Sequence, residues 1–243
     1  MESHISQYGN PNKSIWQPED RISQIKEWLD SFKNCRILEI GIGEGHLFDY
    51  LSRNNTIIGL DLNIRLFSKL RMKRATTNLA VEDGCYVLSD GRSLPFRDGV
   101  FDLVVCREVV EHMPIGDARK MLRNIDDVLS SKGTLILSTP NRLSVEGLLG
   151  SIGYRLSGGK WNAWDISHKH IYDFYEFRAL LKNSSFILDS VRGEYFIFAA
   201  LSLAKGITPL VKRIRIVTDR VFGRSELLSR YGFVLEYRLT KAD

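Results

Sequence analysis

The sequence has few cysteines and no long apolar run, and both absences narrow its class. Its three cysteines, Cys35, Cys85 and Cys106, are far apart and form no C-x-x-C pair. A disulfide framework and a zinc site are therefore not expected, whereas a reducing, cytoplasmic location is. Residues 1–12 are polar and lack the apolar core of a secretory signal. The sequence contains no stretch of about 18 uncharged apolar residues, so no membrane-spanning helix is predicted.

A strong charge of either sign is also absent. The net charge is +5, and residues 192–243 contain ten Lys and Arg against five Asp and Glu, while residues 1–191 are balanced. So small an excess is not typical of a dedicated nucleic-acid-binding protein, and we expect no nucleic-acid partner. The basic segment instead marks one surface of the protein.

The pattern of the remaining sequence predicts an α/β fold. With 243 residues, of which 44% are apolar, the chain suits one globular domain. Short β-branched runs alternate with helical patterns, which is typical of a mainly parallel sheet. The predicted strands are 36–40, 56–60, 86–89, 101–106, 134–138, 186–193 and 233–240. The predicted helices are 19–32, 45–53, 64–75, 117–129 and 173–181.

Two segments stand apart from this alternation. Residues 141–167 form a glycine-containing connection longer than usual, which predicts a mobile loop covering the site. Four aromatic residues lie in this connection or near the N-terminus, and they either shape the substrate side or pack internally: Trp161, Trp164, Tyr8 and Trp16.

An insert at 195–231 separates the last two predicted strands. Thr208 and Pro209 open a helix that ends at Gly223, with apolar residues on one face and arginines elsewhere. A basic amphipathic helix of this kind either rests on an anionic membrane or packs on the sheet edge with a solvated basic face. We therefore consider a peripheral membrane contact through 195–223 as a separate hypothesis.

The strongest chemical signal is the glycine-rich turn after the first predicted strand. Gly41, Gly43 and Gly45 permit a tight turn, and the following helix offers free backbone amides to a ligand. Position 46 is His, a residue of the first helical turn, so the dinucleotide pattern G-x-G-x-x-G is not met. Glu39 places a carboxylate just before the loop, which favours a cationic ligand over a pyrophosphate.

Two further acids follow the next two predicted strands. Asp61 lies 22 residues after Glu39, where a carboxylate binds both ribose hydroxyls of a nucleotide. Asp90 follows the third strand, where it suits an adenine amine. Because the carboxyl ends of parallel strands share one edge, the three acids indicate one nucleotide-like ligand.

The sequence around these residues resembles that of the class I S-adenosylmethionine-dependent methyltransferases, within the methyltransferase type-11-like group. The matching stretches are ILEIGIGEG, IIGLDLN, LSDGRSLPFRDGVFDLVVCREVVEHM and GTLILSTPNR. The resemblance implies a Rossmann-like, seven-stranded, mostly parallel sheet of order 3-2-1-4-5-7-6 with helices on both faces. It also implies S-adenosylmethionine as cofactor. The implied cofactor-binding residues are Glu39, Gly41, Ile42, Gly43, Gly45, Asp61, Leu62, Asp90, Gly91, Arg92, Cys106 and Arg107.

On this interpretation residues 1–243 form a single methyltransferase domain. Residues 1–34 are an N-terminal cap helix, and 35–140 are the cofactor-binding half. Residues 141–243 are the substrate-side half, with a lid at 141–170 and the insert at 195–231.

The implied reaction is methyl transfer to a small-molecule acceptor, and oxygen is the expected methylated atom. A hydroxyl nucleophile must lose a proton, and histidine titrates in a suitable range. The candidates are His112, His168 and His170, of which His112 matches a histidine common in the family; it serves either as base or to order its loop. His168 and His170 resemble histidines of ubiquinone-biosynthesis O-methyltransferases, and in an extended loop they cannot both point the same way.

Several missing patterns limit the alternatives. No D/N-P-P-Y/F/W motif follows the fourth strand, and Cys106 has neither a preceding Pro nor a partner Cys. Methylation of base amino groups and cysteine-based methylation of pyrimidines are therefore disfavoured, and no metal site is expected. The alternatives that stay open are a tRNA or protein methyltransferase and a non-catalytic cofactor-binding or membrane-associated partner protein.

Overall fold

The computed structural model describes residues 22, 25–76, 84–158, 167–182, 184–196 and 208–242. The strands are β1 (Arg36–Ile40), β2 (Thr56–Asp61), β3 (Gly84–Leu88), β4 (Phe101–Arg107), β5 (Leu129–Pro140), β6 (Phe186–Glu194) and β7 (Val234–Lys241). The helices are α1 (Lys26–Leu29), α2 (His46–Leu51), α3 (Ile64–Thr76), α4 (Ile115–Val128), α5 (Val145–Leu156), α6 (Phe174–Leu181) and α7 (Thr208–Phe222). Short 3-10 turns lie at Val110–His112 and Ser229–Tyr231.

The seven strands form one sheet of order β3-β2-β1-β4-β5-β7-β6. β7 runs antiparallel to both of its neighbours, and the other pairs are parallel. The predicted fold class is therefore confirmed, including the position and direction of the last strand. The carboxyl ends of β1, β2 and β4 consequently meet at one edge of the sheet.

Strand residues alternate between two apolar layers because successive side chains point to opposite faces. Leu38, Val104 and Leu135 pack in one layer against α4 and α6. Their chain neighbours Ile37, Leu103 and Ile136 pack in the other layer against α1, α2 and α3. Helices therefore cover both faces, which explains why the central strands read as continuous apolar runs.

The expectation of a loop over residues 141–167 was wrong in part, because α5 occupies its middle. Asn141 caps the turn that opens this helix, with its backbone carbonyl accepting from the Ser144 hydroxyl at 2.8 Å. The Ser144 hydroxyl accepts in turn from the Gly147 amide at 2.9 Å, which is a helix N-cap bond. The glycines suggested a loop, but capping and the apolar residues between them support a helix.

Other boundaries differ from the predictions by a few residues, most at β5, which begins at Leu129 rather than at 134. Of the predicted first helix, the structure describes residue 22 and residues 25–32, of which α1 is helical and 30–32 are not. Residues 19–21, 23 and 24 lie outside the described residues, as do Tyr8, Trp16, Trp161 and Trp164. No helix within the described ranges is both long and apolar enough to cross a membrane.

Candidate active site

The glycine-rich loop connects β1 to α2 through three residues with positive φ. Gly41, Gly43 and Gly45 have φ of 78°, 50° and 75°, a region that side chains other than glycine rarely adopt. The Gly41 amide donates to the Leu60 carbonyl at 2.8 Å, which ties the loop to β2. A Cβ on Gly45 would stand 2.6 Å from a methyl group of Leu70, so the absence of a side chain there lets α3 pack closely on the loop.

Gly43 is the open side of this loop. No atom of the described residues lies within 4 Å of the position that a Cβ on Gly43 would take. Ile42, by contrast, turns its side chain into the apolar layer with α2 and is 3% exposed. A ligand can therefore approach the backbone at Gly43, while Ile42 offers only its backbone.

Asp61 ends β2 and faces the loop. Its Oδ2 accepts from the Gly43 amide at 3.3 Å, and its Oδ1 accepts from the Asn63 amide at 2.9 Å. The side chain is half-buried, and the following Leu62 is largely exposed. The structure thus brings Asp61 and the glycine loop together, as the strand order requires.

Glu39 lies at the same edge, on β1, and is buried. Its Oε2 has no hydrogen-bond partner among the described residues. Burial raises the pKa of Glu39 well above its usual value, and the nearby Arg107 guanidinium partly opposes this effect. A buried carboxyl oxygen without a partner is satisfied by a cationic or hydrogen-bond-donating ligand group.

The segment after β3 is held together by ion pairs. Arg92 binds Asp90 with Nη2–Oδ2 at 2.6 Å and Asp117 with Nη1–Oδ2 at 2.7 Å. The hydrogen bonds from Arg92 lower the pKa of Asp90. Gly91 packs closely on α4, where an added Cβ would stand 3.1 Å from the Met121 sulfur. The contacts of Arg92 in the described residues therefore fix this loop.

Cys106 and Arg107 end β4 but face opposite layers. Cys106 is fully buried in the layer with α4, and burial raises the pKa of its thiol. Arg107 crosses β5 to reach β7, where its Nε donates to Glu236 Oε1 at 2.9 Å. Burial raises the pKa of Glu236, whereas the nearby Arg107 lowers it. The effect of burial is the larger, and the pKa of Glu236 is raised to about 6.

The turn after β4 carries His112 and contacts the glycine loop through Val109. A Cβ on Gly41 would collide with Cγ2 of Val109, so this turn and the loop are in direct contact. The His112 and His168 rings meet edge to face with centroids 4.9 Å apart. Ser167 Oγ and His112 Nδ1 are 3.1 Å apart. Two histidines that are 56 positions apart in the sequence thus form a pair.

His170 points elsewhere. Its Nε2 lies 2.7 Å from Glu176 Oε1, and its ring meets that of Tyr172 at 4.5 Å. The two histidines of the predicted loop therefore face different partners, as their spacing suggested. The loop is held on the β4 turn because the amides of Lys169 and His170 both donate to the Glu111 carbonyl, at 2.7 and 3.1 Å.

Glu111 was noted in the sequence beside His112 after the fourth strand, but no role was predicted for it. Its side chain is fully buried, and neither carboxyl oxygen has a hydrogen-bond partner among the described residues. Burial, reinforced by the neighbouring Glu108, raises its pKa well above the usual value. Within the described part of the chain, one ligand atom from each of Glu111, His112 and His168 lies within 4.8 Å of the others. Its position next to His112 in the sequence gave no sign of this burial.

These features fit S-adenosylmethionine. The open backbone at Gly43, the Asp61 carboxylate and the partnerless buried oxygen of Glu39 lie at one edge of the sheet. A nucleoside with hydroxyl groups and a cationic methionine tail presents complementary groups to each of them. The individual contacts of the other predicted cofactor-binding residues stay predictions.

Comparison with known proteins agrees with this fold. Residues 38–137 match the family model described as Methyltransferase domain. An uncharacterized protein of Methanocaldococcus jannaschii is 25% identical over 198 residues, covering 72% of this chain and 77% of the relative. The ubiquinone biosynthesis O-methyltransferase of Xanthomonas oryzae pv. oryzae is 26% identical over 174 residues, which is 71% of each chain.

A solved structure shows the same fold at low identity. The magnesium protoporphyrin IX methyltransferase of Synechocystis PCC 6803, with bound SAH, superposes with a TM-score of 0.62 and 14% identity. The match covers 92% of this chain and 83% of that one. Residues 38–137 therefore form a methyltransferase domain, the chain has the fold of the class I S-adenosylmethionine-dependent methyltransferases, and S-adenosylmethionine is its cofactor.

Proposed function

We propose that this protein transfers a methyl group from S-adenosylmethionine to an oxygen of a small-molecule acceptor. The observation that carries the proposal is the His112–His168 pair, in which His112 belongs to the β4 turn whose Val109 contacts the glycine loop. An imidazole in this position suits removal of a hydroxyl proton. The similarity to ubiquinone biosynthesis O-methyltransferases also supports an oxygen acceptor.

Residues of the glycine-loop edge would hold the cofactor. Asp61 would bind the ribose hydroxyls, Glu39 the methionine ammonium, and Asp90 with Gly91 the adenine. The bound cofactor supplies an electrophilic methyl group on a sulfonium. The protein's main tasks are then to align the acceptor and to accept its proton.

Proton transfer would involve the histidine pair and Glu111. A proton taken up by either ring places a positive charge within 4.8 Å of the Glu111 carboxyl. That charge favours the ionised carboxylate, which in turn stabilises the imidazolium. Glu111 would therefore act as a positioning residue, and His112 or His168 as the base.

The first experiment is calorimetric titration with S-adenosylmethionine and S-adenosylhomocysteine, with NAD as control. Micromolar binding of the first two and none of NAD is expected. Phenols, catechols and quinone precursors are then screened as acceptors by following S-adenosylhomocysteine formation. Cofactor binding without turnover of any hydroxylated acceptor, but with turnover of amines or of tRNA, would contradict the oxygen assignment.

A second measurement distinguishes a base from a metal ligand. Because Glu111, His112 and His168 have the spacing of a metal-binding group, activity is measured after dialysis against EDTA and after adding back Mg²⁺ or Zn²⁺. Unchanged activity is expected if a histidine is the base. Loss with EDTA and recovery with one ion would make these side chains ligands instead.

A further inference from the structure

The helix α7 presents its apolar residues to solvent. Ile214, Val217 and Val221 recur at the spacing of one helical face and are 42%, 60% and 58% exposed. A helix that packs on its own domain buries such a stripe. Ile216 and Phe222 of the same helix are also exposed to more than a third.

Among the described side chains of α7, the most buried is an acid, Asp219, while Phe222 packs on Phe196. Asp219 is 2% exposed, and its Oδ1 accepts from the Phe196 amide just beyond β6 at 3.2 Å. The helix end is tied to β6 as well, because the Gly193 amide donates to the Gly223 carbonyl at 3.1 Å. α7 is thus anchored through its acid and has its apolar stripe outside, the reverse of an ordinary surface helix.

The exposed charged side chains described on α7 are positive. The helix sequence contains four basic residues and a single acid, Asp219. Since Asp219 is buried, it does not neutralise the outward face, on which Arg213 and Arg220 are exposed. These two residues are seven positions apart and flank the stripe on the same side of the helix. Exposed apolar and basic side chains therefore share one face.

We propose that the outward face of α7 binds the surface of an anionic lipid bilayer. Its apolar stripe would enter the boundary between headgroups and acyl chains, and its arginines would contact lipid phosphates. A second copy of this chain would bring a face of the same positive sign, which disfavours self-association there. A 15-residue helix is about 22 Å long, enough for a lateral contact.

The contact would also orient the candidate active site. α7 is joined to the end of β6, and the neighbouring β7 carries Glu236, which binds Arg107 at the end of β4. If the proposed function holds, docking would bring a lipophilic acceptor dissolved in the bilayer to the substrate side. Membrane binding itself does not depend on that function.

Flotation of the full chain with vesicles tests the proposal. Vesicles of phosphatidylglycerol and phosphatidylcholine are compared with phosphatidylcholine alone, at low and high salt. Binding only to the anionic vesicles, and weaker at high salt, is expected. Val217→Asp should weaken binding at least tenfold, and Arg220→Glu by about fivefold or more.

Matched variants elsewhere serve as controls. Leu156→Asp changes an exposed apolar residue of α5, and Arg178→Glu changes an exposed arginine of α6. Both should bind vesicles as the parent does, and all four variants should bind S-adenosylmethionine normally. Absence of vesicle binding at low salt, equal binding to neutral vesicles, or equal binding by Val217→Asp would overturn the proposal. A dimer that Val217→Asp dissociates would instead assign this face to self-association. Methyl transfer to a water-soluble acceptor tests the proposed function separately.

Discussion

Val109 occupies the space that a side chain on Gly41 would need, so the turn bearing His112 packs directly on the glycine loop. The loop that is expected to hold the cofactor and the turn that carries the candidate base are therefore positioned by one contact. This contact joins the ends of β1 and β4, which are neighbours in the sheet. The positions of the glycine loop and of the β4 turn consequently depend on each other, and a substitution in one should displace the other.

The glycine loop offers a matched pair of substitutions. Gly41→Ala would collide with Val109 at positive φ, and we expect a loss of about 2 kcal/mol or more in the free energy of unfolding. Gly43→Ala meets open space and carries only the backbone strain of about 1 kcal/mol. Chemical denaturation measures both values. Equal losses would show that the Val109 contact does not restrict this position.

Asp61 should determine cofactor affinity. We expect Asp61→Ala to weaken S-adenosylmethionine binding by about 1.5 kcal/mol or more, because charge-assisted hydrogen bonds to the ribose are lost. Asp98→Ala, in an exposed loop before β4, is the control and should bind normally. Calorimetry gives both dissociation constants. An unchanged constant for Asp61→Ala would refute the assignment of this carboxylate.

The two histidines of the 167–170 loop should behave differently. If His168 is the base, His168→Gln lowers kcat by about a hundredfold or more and removes the acidic limb of the pH–rate profile. His170→Gln, whose ring faces Glu176 and Tyr172, should lower kcat less than tenfold. The kcat of His112→Gln is measured as well, since a larger loss of kcat in that variant would identify His112 as the base. The reverse ranking of His168 and His170 would contradict the proposed site.

Two arginine ion pairs test the effect of burial. Arg107→Met leaves the fully buried Glu236 without its partner, and we expect a loss of about 3 kcal/mol or more in stability. Arg92→Met disrupts a pair with Asp90 in which the arginine is 43% exposed, and should lose less than about 1 kcal/mol. Replacing Arg107 and Glu236 together by Met should restore part of the loss. Thermal or urea unfolding decides between these outcomes.

Glu194 should make stability depend on pH. Its side chain is buried, and neither carboxyl oxygen has a hydrogen-bond partner among the described residues. Burial, with the nearby Glu236, raises the pKa of this carboxyl well above its usual value. The folded state then holds a proton that the unfolded state releases near pH 4.5, so stability falls as pH rises above that value. Glu194→Gln should therefore be more stable than the parent at pH 8, by about 1–3 kcal/mol. The gain should vanish below about pH 4, where the unfolded carboxyl is also protonated, and a gain that is equal at both ends of this range would contradict the argument.

Much of the fold could be predicted because its signals are local. β1 has the predicted limits, β2, β4 and β6 each extend one residue further at the C-terminal end, and β7 is shifted by one residue at both ends. β1, β2 and β4 are short, largely apolar runs, whereas β6 and β7 alternate apolar with polar residues, and both patterns are typical of strands. The sheet order came from the resemblance to a family and not from these patterns. α5 was missed because glycines in a connecting segment outweighed the capping signal of Ser144.

In the candidate site, too, the residues that follow local sequence signals were predicted, and the contacts that depend on packing were not. The glycine loop and Asp61 follow directly from strand ends in the sequence, and the structure brings them together. Arg92 was expected to contact the cofactor, yet its described contacts are with Asp90 and Asp117, the latter on a helix 25 positions away. Such a partner depends on how α4 packs, which no local pattern contains.

The sequence by itself determined the class of the protein: an α/β sheet with a glycine loop and acids at successive strand ends. These features depend on residue type and short spacing, which backbone geometry converts directly into position. Only the tertiary structure decided that His168 pairs with His112, that Glu111 is buried beside them, and that α7 turns its apolar stripe to solvent. These outcomes depend on contacts between residues distant in the chain, and burial is a property of the packed molecule.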